Sequence, residues 1–303
     1  MRKQDKVLII GAGFAGLNLA RKLHKKGFEV FLVDKNNYHQ FQPLFYQVAT
    51  AGLEPASIVF PLRKAFPHYD GFHIRMAELV EIIPRQNKII TTENVMEYDY
   101  LVIATGVNTN FFGNKQIEEH AIPMKSVSEA LYMRNRFLQN LEDAYYADDE
   151  EKERLRNIVI VGGDPTGVEV SGAIDKKKKY VLSKDYPELD FSLMKIFLIE
   201  GSSTLLGPMS KPAQQKSQEF LEKMGVNVIT GTVVKEYDGS IALLSNGDYI
   251  PTNTLIWAAG VTAGKIKGIP DELLQKGNRI KVNRFNQLDG FKNIFAIGDI
   301  AFM

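Results

Sequence analysis

Three glycines near the start of the chain have the spacing of a loop that binds phosphate. Gly11, Gly13 and Gly16 follow a short apolar run and precede residues with helical periodicity. In such a turn the first glycine permits the tight bend, the second lets the backbone approach a pyrophosphate, and the third lets helix and strand pack closely. Asp34 lies 18 residues after the third glycine, at the end of the next apolar run, where it can bind an adenosine ribose. The pattern predicts a dinucleotide site.

A second turn of this kind lies in the middle of the chain and departs from the pattern at one position. Gly162, Gly163 and Gly167 follow an apolar run, but Asp164 stands where the middle glycine is expected. A carboxylate there opposes a pyrophosphate through its size and its negative charge. Glu200, at the end of the next apolar run, fits the ribose role and favours NADH over NADPH. We expect a nicotinamide site here, and a scaffold without a working site is the alternative.

Further strand ends carry residues that suit nucleotide binding. An apolar run ends in Thr105 and Gly106, and a matching run in the second half ends in Gly260. Near the end of the chain, another run leads into Gly298 and Asp299. An acid at such a strand end can accept hydrogen bonds from sugar-alcohol hydroxyls. Together with the first glycine turn, this order of motifs is that of an FAD site.

The elements that must position these residues follow one plan that occurs twice. Each half begins with strand, glycine turn, helix and strand, and later has a strand that ends in glycine. Two landmarks repeated in the same order indicate duplicated domains, and 303 residues are enough for two. Alternating strands and helices predict an α/β fold with parallel sheets covered by helices on both faces. The charged residues 148–156 are predicted to be the exposed end of a helix, and Lys176–Lys179 a surface turn.

Composition excludes several classes of function. With 37 basic and 36 acidic residues, the net charge of +1 gives no reason to expect a nucleic acid partner. No cysteine is present, so disulfides, thiolate metal sites, iron–sulfur clusters and cysteine nucleophiles are excluded. The histidines lack ligand spacing, so no metal site is expected; they are His24, His39, His68, His73 and His120. Neither a signal peptide nor a membrane span is visible, and the cytoplasm is the default location.

Two segments carry a resemblance to a known family. The glycine turns and strand ends look like those of the two-dinucleotide flavoprotein superfamily. Residues 37–52, NYHQFQPLFYQVATAG, resemble the signature after the second strand of type II NADH:quinone oxidoreductases. Residues 162–169, GGDPTGVE, are similar to that family's GGGPTGVE motif except at Asp164. The resemblance implies two Rossmann-like dinucleotide-binding domains, with an NADH domain at 115–262 inserted into a discontinuous FAD domain at 1–114 and 263–303.

The resemblance also implies a role for each candidate residue. Gly11, Gly13, Gly16 and Asp34 should hold the adenosine half of FAD. The residues expected along the flavin and its ribityl–phosphate portion are Pro43, Leu44, Thr105, Gly106, Gly298 and Asp299. Those expected at the NADH site are Gly162, Gly163, Gly167, Glu169 near the nicotinamide, and Glu200 on the ribose. Gln47 should face the quinone, and Gly260 should mark the return to the FAD domain.

The implied reaction passes electrons from NADH through FAD to a quinone, without proton pumping. Relatives that relay electrons through cysteine thiols are excluded, because this chain has no cysteine. His39 could assist proton delivery to the quinone, although a structural role is the expected one for a single histidine in a loop. A polar loop that packs on its own domain is the alternative for residues 42–47. Two alternatives for the whole chain stay open: a ferredoxin- or rubredoxin-type flavoprotein reductase, and a catalytically incomplete dinucleotide-binding fragment.

The resemblance carries an expectation about the membrane as well. Family members continue beyond the glycine–aspartate motif with a helix under the flavin, a quinone-site motif and amphipathic C-terminal helices that attach to the membrane. This sequence ends four residues after Asp299, so we expect it to be a truncated form. The full-length protein is expected to be peripheral on the inner, cytoplasmic face of the cell membrane. The resemblance leaves a homodimer open.

Overall fold

Contacts divide the chain into two units. The computed structural model describes residues 4–66 and 70–303. Unit 1 comprises the described residues of 1–40, 59–108 and 261–303, and unit 2 comprises Phe41–Ile58 and Thr109–Gly260. The second and third segments of unit 1 therefore flank the main part of unit 2 along the chain. The main part of unit 2 begins six residues before the predicted NADH domain at 115–262 and ends two residues before its end; the assignment of the two nucleotides to these domains stays a prediction. Residues 41–58 differ from that prediction, because their contacts group them with unit 2.

The bounds of the regular elements are as follows. The strands are β1 (Lys6–Ile10), β2 (Glu29–Asp34), β3 (Tyr38–Gln40), β4 (Val59–Pro61), β5 (Phe72–Met76), β6 (Leu79–Ile83), β7 (Lys88–Thr91), β8 (Val95–Glu97), β9 (Tyr100–Ile103), β10 (Asn108–Thr109), β11 (Ile122–Pro123), β12 (Ile158–Val161), β13 (Ile196–Glu200), β14 (Val226–Thr230), β15 (Val234–Tyr237), β16 (Ile241–Leu244), β17 (Tyr249–Pro251), β18 (Thr254–Trp257), β19 (Val261–Thr262), β20 (Ile280–Lys281), β21 (Ile294–Ala296) and β22 (Ala301–Phe302). The helices are α1 (Phe14–His24), α2 (Phe45–Ala49), α3 (Leu62–Ala65), α4 (Lys115–His120), α5 (Val127–Asp143), α6 (Asp149–Arg156), α7 (Pro165–Lys177), α8 (Ser183–Asp185) and α9 (Lys211–Met224).

Unit 1 is built on a parallel sheet with the strand order β21-β9-β1-β2-β5. The central strand β1 is buried from Val7 to Ile10, because apolar side chains on both of its faces are covered. Two apolar clusters lie on the two faces, one containing Leu8 and Ile103 and the other containing Ile9 and Leu17. Since all five strands run in the same direction, their carboxyl ends share one edge of the sheet. The antiparallel sheet β6-β7-β8 lies in the same unit.

Unit 2 repeats the arrangement with the parallel order β11-β18-β12-β13-β14. The central strand β12 is buried along its whole length. Helix α5 begins at a capping box in which the Ser126 side chain accepts from the Glu129 backbone and the Glu129 carboxylate accepts from Ser126. Helix α2, in the segment that resembles the family signature, packs against α5 and α7. The antiparallel strands β15, β16 and β17 complete the unit.

Two local predictions can be compared with the structure. Residues 149–156 form a separate helix, α6, with only Leu155 buried, so the exposed helical end is confirmed. The predicted surface turn at Lys176–Lys179 is wrong. Helix α7 runs to Lys177 and continues as a π-helical turn, Lys178–Leu182, into α8. No helix in residues 4–66 or 70–303 is long and apolar enough to cross a membrane.

Candidate functional site

The first glycine turn lies at the carboxyl edge of the unit 1 sheet, between β1 and α1. Gly11 has a φ of +104°, and a Cβ added to it would overlap the carbonyl oxygen of Ala104. A Cβ on Gly16 would overlap the carbonyl oxygen of Gly11. The first and third glycines are therefore required by the packing of β1 against β9 and of α1 against the turn. This agrees with the reasons that the spacing suggested.

Gly13 differs, since the protein itself places nothing against it. A Cβ added to Gly13 would meet no atom within 4 Å, and the residue is exposed at the N-cap of α1. The start of a helix offers free N–H groups and a partial positive charge to a phosphate. The space at Gly13 is therefore available to a ligand.

Asp34 holds the turn through two backbone hydrogen bonds. Its carboxylate accepts from the backbone N–H of Ala12 at 2.6 Å and from that of Asn36 at 2.7 Å. Burial raises the pKa of Asp34, and these two hydrogen bonds act against the rise. The Nδ1 atom of His39 lies 2.9 Å from the carbonyl oxygen of Ala12, which gives this histidine a place in the same turn. A structural role for His39, as expected of a lone histidine, fits this contact.

The structure brings the other predicted residues of unit 1 to the same edge. Thr105 and Gly106 follow β9, and Gly298 and Asp299 follow β21, which is the neighbour of β9. A Cβ added to Gly298 would lie 3.1 Å from the Cβ of Ala15 in α1. Thr105, Gly298 and Asp299 are exposed. Residues from three adjacent strand ends therefore surround the first glycine turn.

The turn of unit 2 has the same backbone packing. Gly162 has a φ of +112°, and an added Cβ would lie 2.8 Å from the backbone nitrogen of Ala259. A Cβ on Gly167 would overlap the carbonyl oxygen of Gly162. The carboxylate of Glu200 accepts from the backbone N–H of Gly163 at 2.6 Å and from that of Ser202 at 2.6 Å. Glu200 thus occupies the place in unit 2 that Asp34 occupies in unit 1.

Asp164 is the residue that distinguishes the second turn. It is the N-cap residue of α7, yet its side chain makes no capping hydrogen bond. Although Asp164 is exposed, partial desolvation of its carboxyl group raises its pKa, the nearby charge of Glu200 raises it further, and Lys125 lowers it. The carboxylate stands at the N-terminal end of α7, and its opposition to a bound pyrophosphate stays a prediction.

A cavity of about 540 Å³ opens in front of this turn. Five of the predicted residues line it, namely Gly162, Gly163, Asp164, Glu200 and Gly260. Gly167 is buried under the turn and lies outside the lining. Glu169 also lies outside it, on α7, where its side chain is exposed and partial desolvation of its carboxyl group raises its pKa. Its predicted position near the nicotinamide stays a prediction.

The structure adds wall residues that the motifs did not indicate. They include Phe111, Phe112, Ser202, Leu206, Thr232, Val233 and Trp257. Phe112 and Leu206 have positive φ values of 53° and 51°. Left-handed backbone is uncommon for bulky residues and is found where the surrounding structure imposes it. The residue types Phe and Leu do not indicate a left-handed backbone. The sequence therefore contained no signal for the positions of Phe112 and Leu206.

The segment that resembles the family signature begins in unit 1, where Tyr38–Gln40 form β3, and continues in unit 2 as a 3₁₀ turn followed by helix α2. Pro43 and Leu44 lie in a 3₁₀ turn, and Gln47 lies on α2 with its Nε2 atom donating to the hydroxyl of Tyr46 at 3.0 Å. Ala51, after α2, has a φ of +54°. The Glu54 carboxylate lies 3.9 Å from the Arg134 guanidinium on α5. The roles predicted for Pro43, Leu44 and Gln47 stay predictions.

Within residues 4–66 and 70–303, no group of three or more His, Asp or Glu side chains is placed to hold a metal ion. His68, one of the histidines considered from the sequence, lies outside the described residues.

Comparison with known proteins gives consistent relationships. Residues 5–303 match the family described as pyridine nucleotide-disulphide oxidoreductase. The chain is 29% identical over 313 residues to the type II NADH:quinone oxidoreductase Ndh of Mycobacterium tuberculosis, covering 99% of this chain and 67% of the relative. It is 31% identical over 314 residues to NdhA of the same organism, with the same coverage.

A solved structure has the same fold. It is described as NDH2 from Plasmodium falciparum in complex with NADH, and it superposes with a TM-score of 0.91 at 25% identity, covering 99% of this chain and 64% of that one. The chain therefore spans about two thirds of the length of these relatives. The duplicated turns, the paired acids and the match over nearly the whole chain agree. The chain belongs to the pyridine nucleotide-disulphide oxidoreductase family and, within it, to the type II NADH:quinone oxidoreductases.

Proposed function

We propose that this chain is the dinucleotide-binding part of a NADH:quinone oxidoreductase, with FAD held by unit 1 and NADH by unit 2. The observation that carries the proposal occurs in both units. In each unit, one acidic side chain accepts hydrogen bonds from two backbone N–H groups. Asp34 binds Ala12 and Asn36, and Glu200 binds Gly163 and Ser202. Each acid is thereby fixed beside a glycine turn, where its remaining lone pairs can accept ribose hydroxyls.

Unit 1 fits FAD at three strand ends. The open space at Gly13 and the start of α1 suit the pyrophosphate. The exposed carboxylate of Asp299, next to the turn, suits the ribityl hydroxyls. Thr105 and Gly106 follow the strand between these two groups. This division of the ligand among the strand ends supports FAD rather than a smaller nucleotide.

Unit 2 fits NADH in the cavity before its glycine turn. A volume of about 540 Å³ is within the range of small-molecule sites. The Glu200 carboxylate repels a 2′-phosphate, so NADH is favoured over NADPH. Asp164 opposes the pyrophosphate, and we therefore propose that the NADH site works with reduced affinity.

FAD, once bound, would supply the two-electron redox chemistry that links the oxidation of NADH to the reduction of a quinone. The residues of this chain fix the two nucleotides and limit the access of water. We propose the nicotinamide position beside Glu169, the flavin ring near Pro43 and Leu44, and quinone contact at Gln47. Because respiratory quinones are lipophilic, we also propose a peripheral location at the cytoplasmic face of the cell membrane. A homodimer stays a prediction.

A spectral titration tests the proposal. The chain, reconstituted with FAD and freed of excess flavin, should retain a flavin absorbance spectrum. Anaerobic NADH should bleach that spectrum, NADPH should bleach it much less, and a soluble quinone should restore it. Restoration by an iron–sulfur protein but not by a quinone would identify a ferredoxin- or rubredoxin-type reductase instead. A chain that keeps no flavin, or one whose flavin NADH does not reduce, would contradict the proposal.

A further inference from the structure

Phe112 combines two features that are unfavourable for a bulky apolar residue. Its φ of +53° lies in the left-handed region, where a bulky side chain is strained. Its side chain is also 69% exposed, although it lines the cavity of unit 2. The ring meets Trp257 edge-on with 6.4 Å between the ring centroids, yet most of its surface stays open to the cavity. Its position therefore suggests a contact with a ligand.

Hydrogen bonds of the neighbouring Asn110 fix the backbone at Phe112. The Asn110 side-chain oxygen accepts from the Phe112 backbone N–H at 2.8 Å. The Asn110 carbonyl accepts from the Trp257 indole at 2.9 Å, and its N–H donates to the Gly260 carbonyl at 3.3 Å. The strained conformation is thus determined by its surroundings rather than by a flexible loop.

Gly260 leaves room for the ring. A Cβ added to Gly260 would lie 2.5 Å from the Cζ atom of Phe112. Any side chain at this position would displace the ring from the wall. Gly260, expected only to mark the return to the other domain, therefore also has a packing reason to be glycine.

The location of Phe112 in the cavity indicates which part of a dinucleotide it faces. The pyrophosphate is expected at Gly162–Gly167 and the ribose at Glu200. Next to Glu200, a Cβ added to Gly201 would lie 3.0 Å from Val233, so an apolar side chain lines the wall beyond the acid. A hydrogen bond holds the loop of Phe112 near Val233, because the Asn114 side chain donates to the carbonyl of Lys235 at 2.7 Å.

We propose that Phe112 is a positioning residue that covers the adenosine half of NADH in the cavity of unit 2. This inference rests on the proposed NADH site and assigns it an aromatic wall. A base has an apolar face on which an aromatic ring stacks, and such a contact strengthens binding considerably. Stacking on the base would compensate for the repulsion between Asp164 and the pyrophosphate. The strain at Phe112 then serves to present the ring to the ligand.

Phe112→Gly tests the proposal, because glycine suits the left-handed backbone and removes the ring. The chain contains one tryptophan, Trp257, which lines the cavity and whose fluorescence can report binding directly. In a Trp257 fluorescence titration of the flavin-loaded chain, we expect the Kd for NADH to rise roughly tenfold in Phe112→Gly. Its melting temperature should not fall. Phe112→Tyr, which keeps the ring, should keep the parental Kd.

Two comparisons make the result specific. Reduced nicotinamide mononucleotide lacks the adenosine half, so its Kd should be the same for Phe112→Gly and the parent. Phe220 is 59% exposed on α9 and lies outside the cavity lining, so Phe220→Ala should leave the Kd for NADH unchanged.

Three outcomes would overturn the proposal. They are an unchanged Kd for NADH in Phe112→Gly, an equal loss for the mononucleotide, and a loss of folding in Phe112→Gly that Phe112→Tyr also shows. Bleaching of the flavin by NADH is measured separately. Its absence would count against the proposed function even where the binding result supports the role of Phe112.

Discussion

Residues 11–16 of unit 1 and residues 162–167 of unit 2 form the same turn between a buried parallel strand and a helix. In both turns the first glycine has positive φ and lies against the neighbouring strand end. In both turns the last glycine lies against the carbonyl of the first. The acid of the next strand, Asp34 or Glu200, binds two backbone N–H groups in each unit.

The two turns differ at the position that faces the ligand. An added Cβ on Gly13 would meet no atom within 4 Å, whereas Asp164 places a carboxylate there. The fold tolerates this exchange because this position takes no part in the packing of the helix against the strand. The glycine pattern therefore contains two separable requirements. Its outer positions build the turn, and its middle position determines how closely a phosphate can approach.

The largest expected effect concerns the outer glycines. Gly16→Ala and Gly167→Ala should each lower the free energy of unfolding by about 3 kcal/mol or more, because the new Cβ overlaps backbone. Thermal or denaturant unfolding measures this loss. If either variant were as stable as the parent, the two turns would not share the packing described here.

The next effect concerns ligand binding without loss of stability. Gly13→Ala adds a Cβ that meets no protein atom within 4 Å, so the melting temperature should stay near that of the parent. The methyl group occupies the approach of the pyrophosphate, and we expect FAD affinity to fall about tenfold or more. The FAD content after dialysis gives the result. Full retention of FAD would place the pyrophosphate elsewhere.

A third prediction concerns the acidic residue that lies beside each turn. Glu200→Gln removes the charge that repels a 2′-phosphate while keeping an oxygen that can accept from Gly163. The ratio of Kd values for NADPH and NADH should fall about tenfold. An unaltered ratio would show that another group sets the preference.

The smallest effect is a pH dependence confined to unit 2. Partial desolvation and Glu200 raise the pKa of Asp164, so the folded chain holds this proton more tightly than the unfolded chain does. Ionised Asp164 therefore lowers stability at pH above its pKa, and a bound pyrophosphate raises the pKa further. NADH affinity should increase as the pH falls towards this pKa, by less than about tenfold per unit.

Asp164→Asn provides the control for this dependence. It keeps the size of the side chain and removes the titrating group, so the variation of NADH affinity with pH should become much weaker. A parent and an Asp164→Asn variant with the same pH profile would assign the effect to another group.

The sequence predicted the parts of this structure that depend on local patterns. Gly11, Gly16, Gly162 and Gly167 are where the spacing placed them, because tight turns and close helix–strand packing impose that spacing directly. The place of Asp164 at the mouth of the second turn also followed from the aligned motif.

The parts that depend on distant contacts were not predictable in this way. Residues 41–58 group with unit 2 because α2 packs on α5 and α7, which lie far along the chain. Phe112 adopts positive φ because Asn110, Trp257 and Gly260 hold its loop. Lys176–Lys179 are helical because α7 continues through a π turn, although a run of lysines suggested a turn.

We propose that the second turn keeps the fold of a dinucleotide site and that one carboxylate weakens the binding of the ligand. The most direct measurement is the Kd for NADH of Asp164→Gly beside the parent, by Trp257 fluorescence at neutral pH. Asp164 makes no capping hydrogen bond, so its replacement should not disturb α7. We predict that NADH binds about tenfold more tightly to the variant. Equal or weaker binding by a folded Asp164→Gly chain would show that the Asp164 carboxylate does not weaken the site.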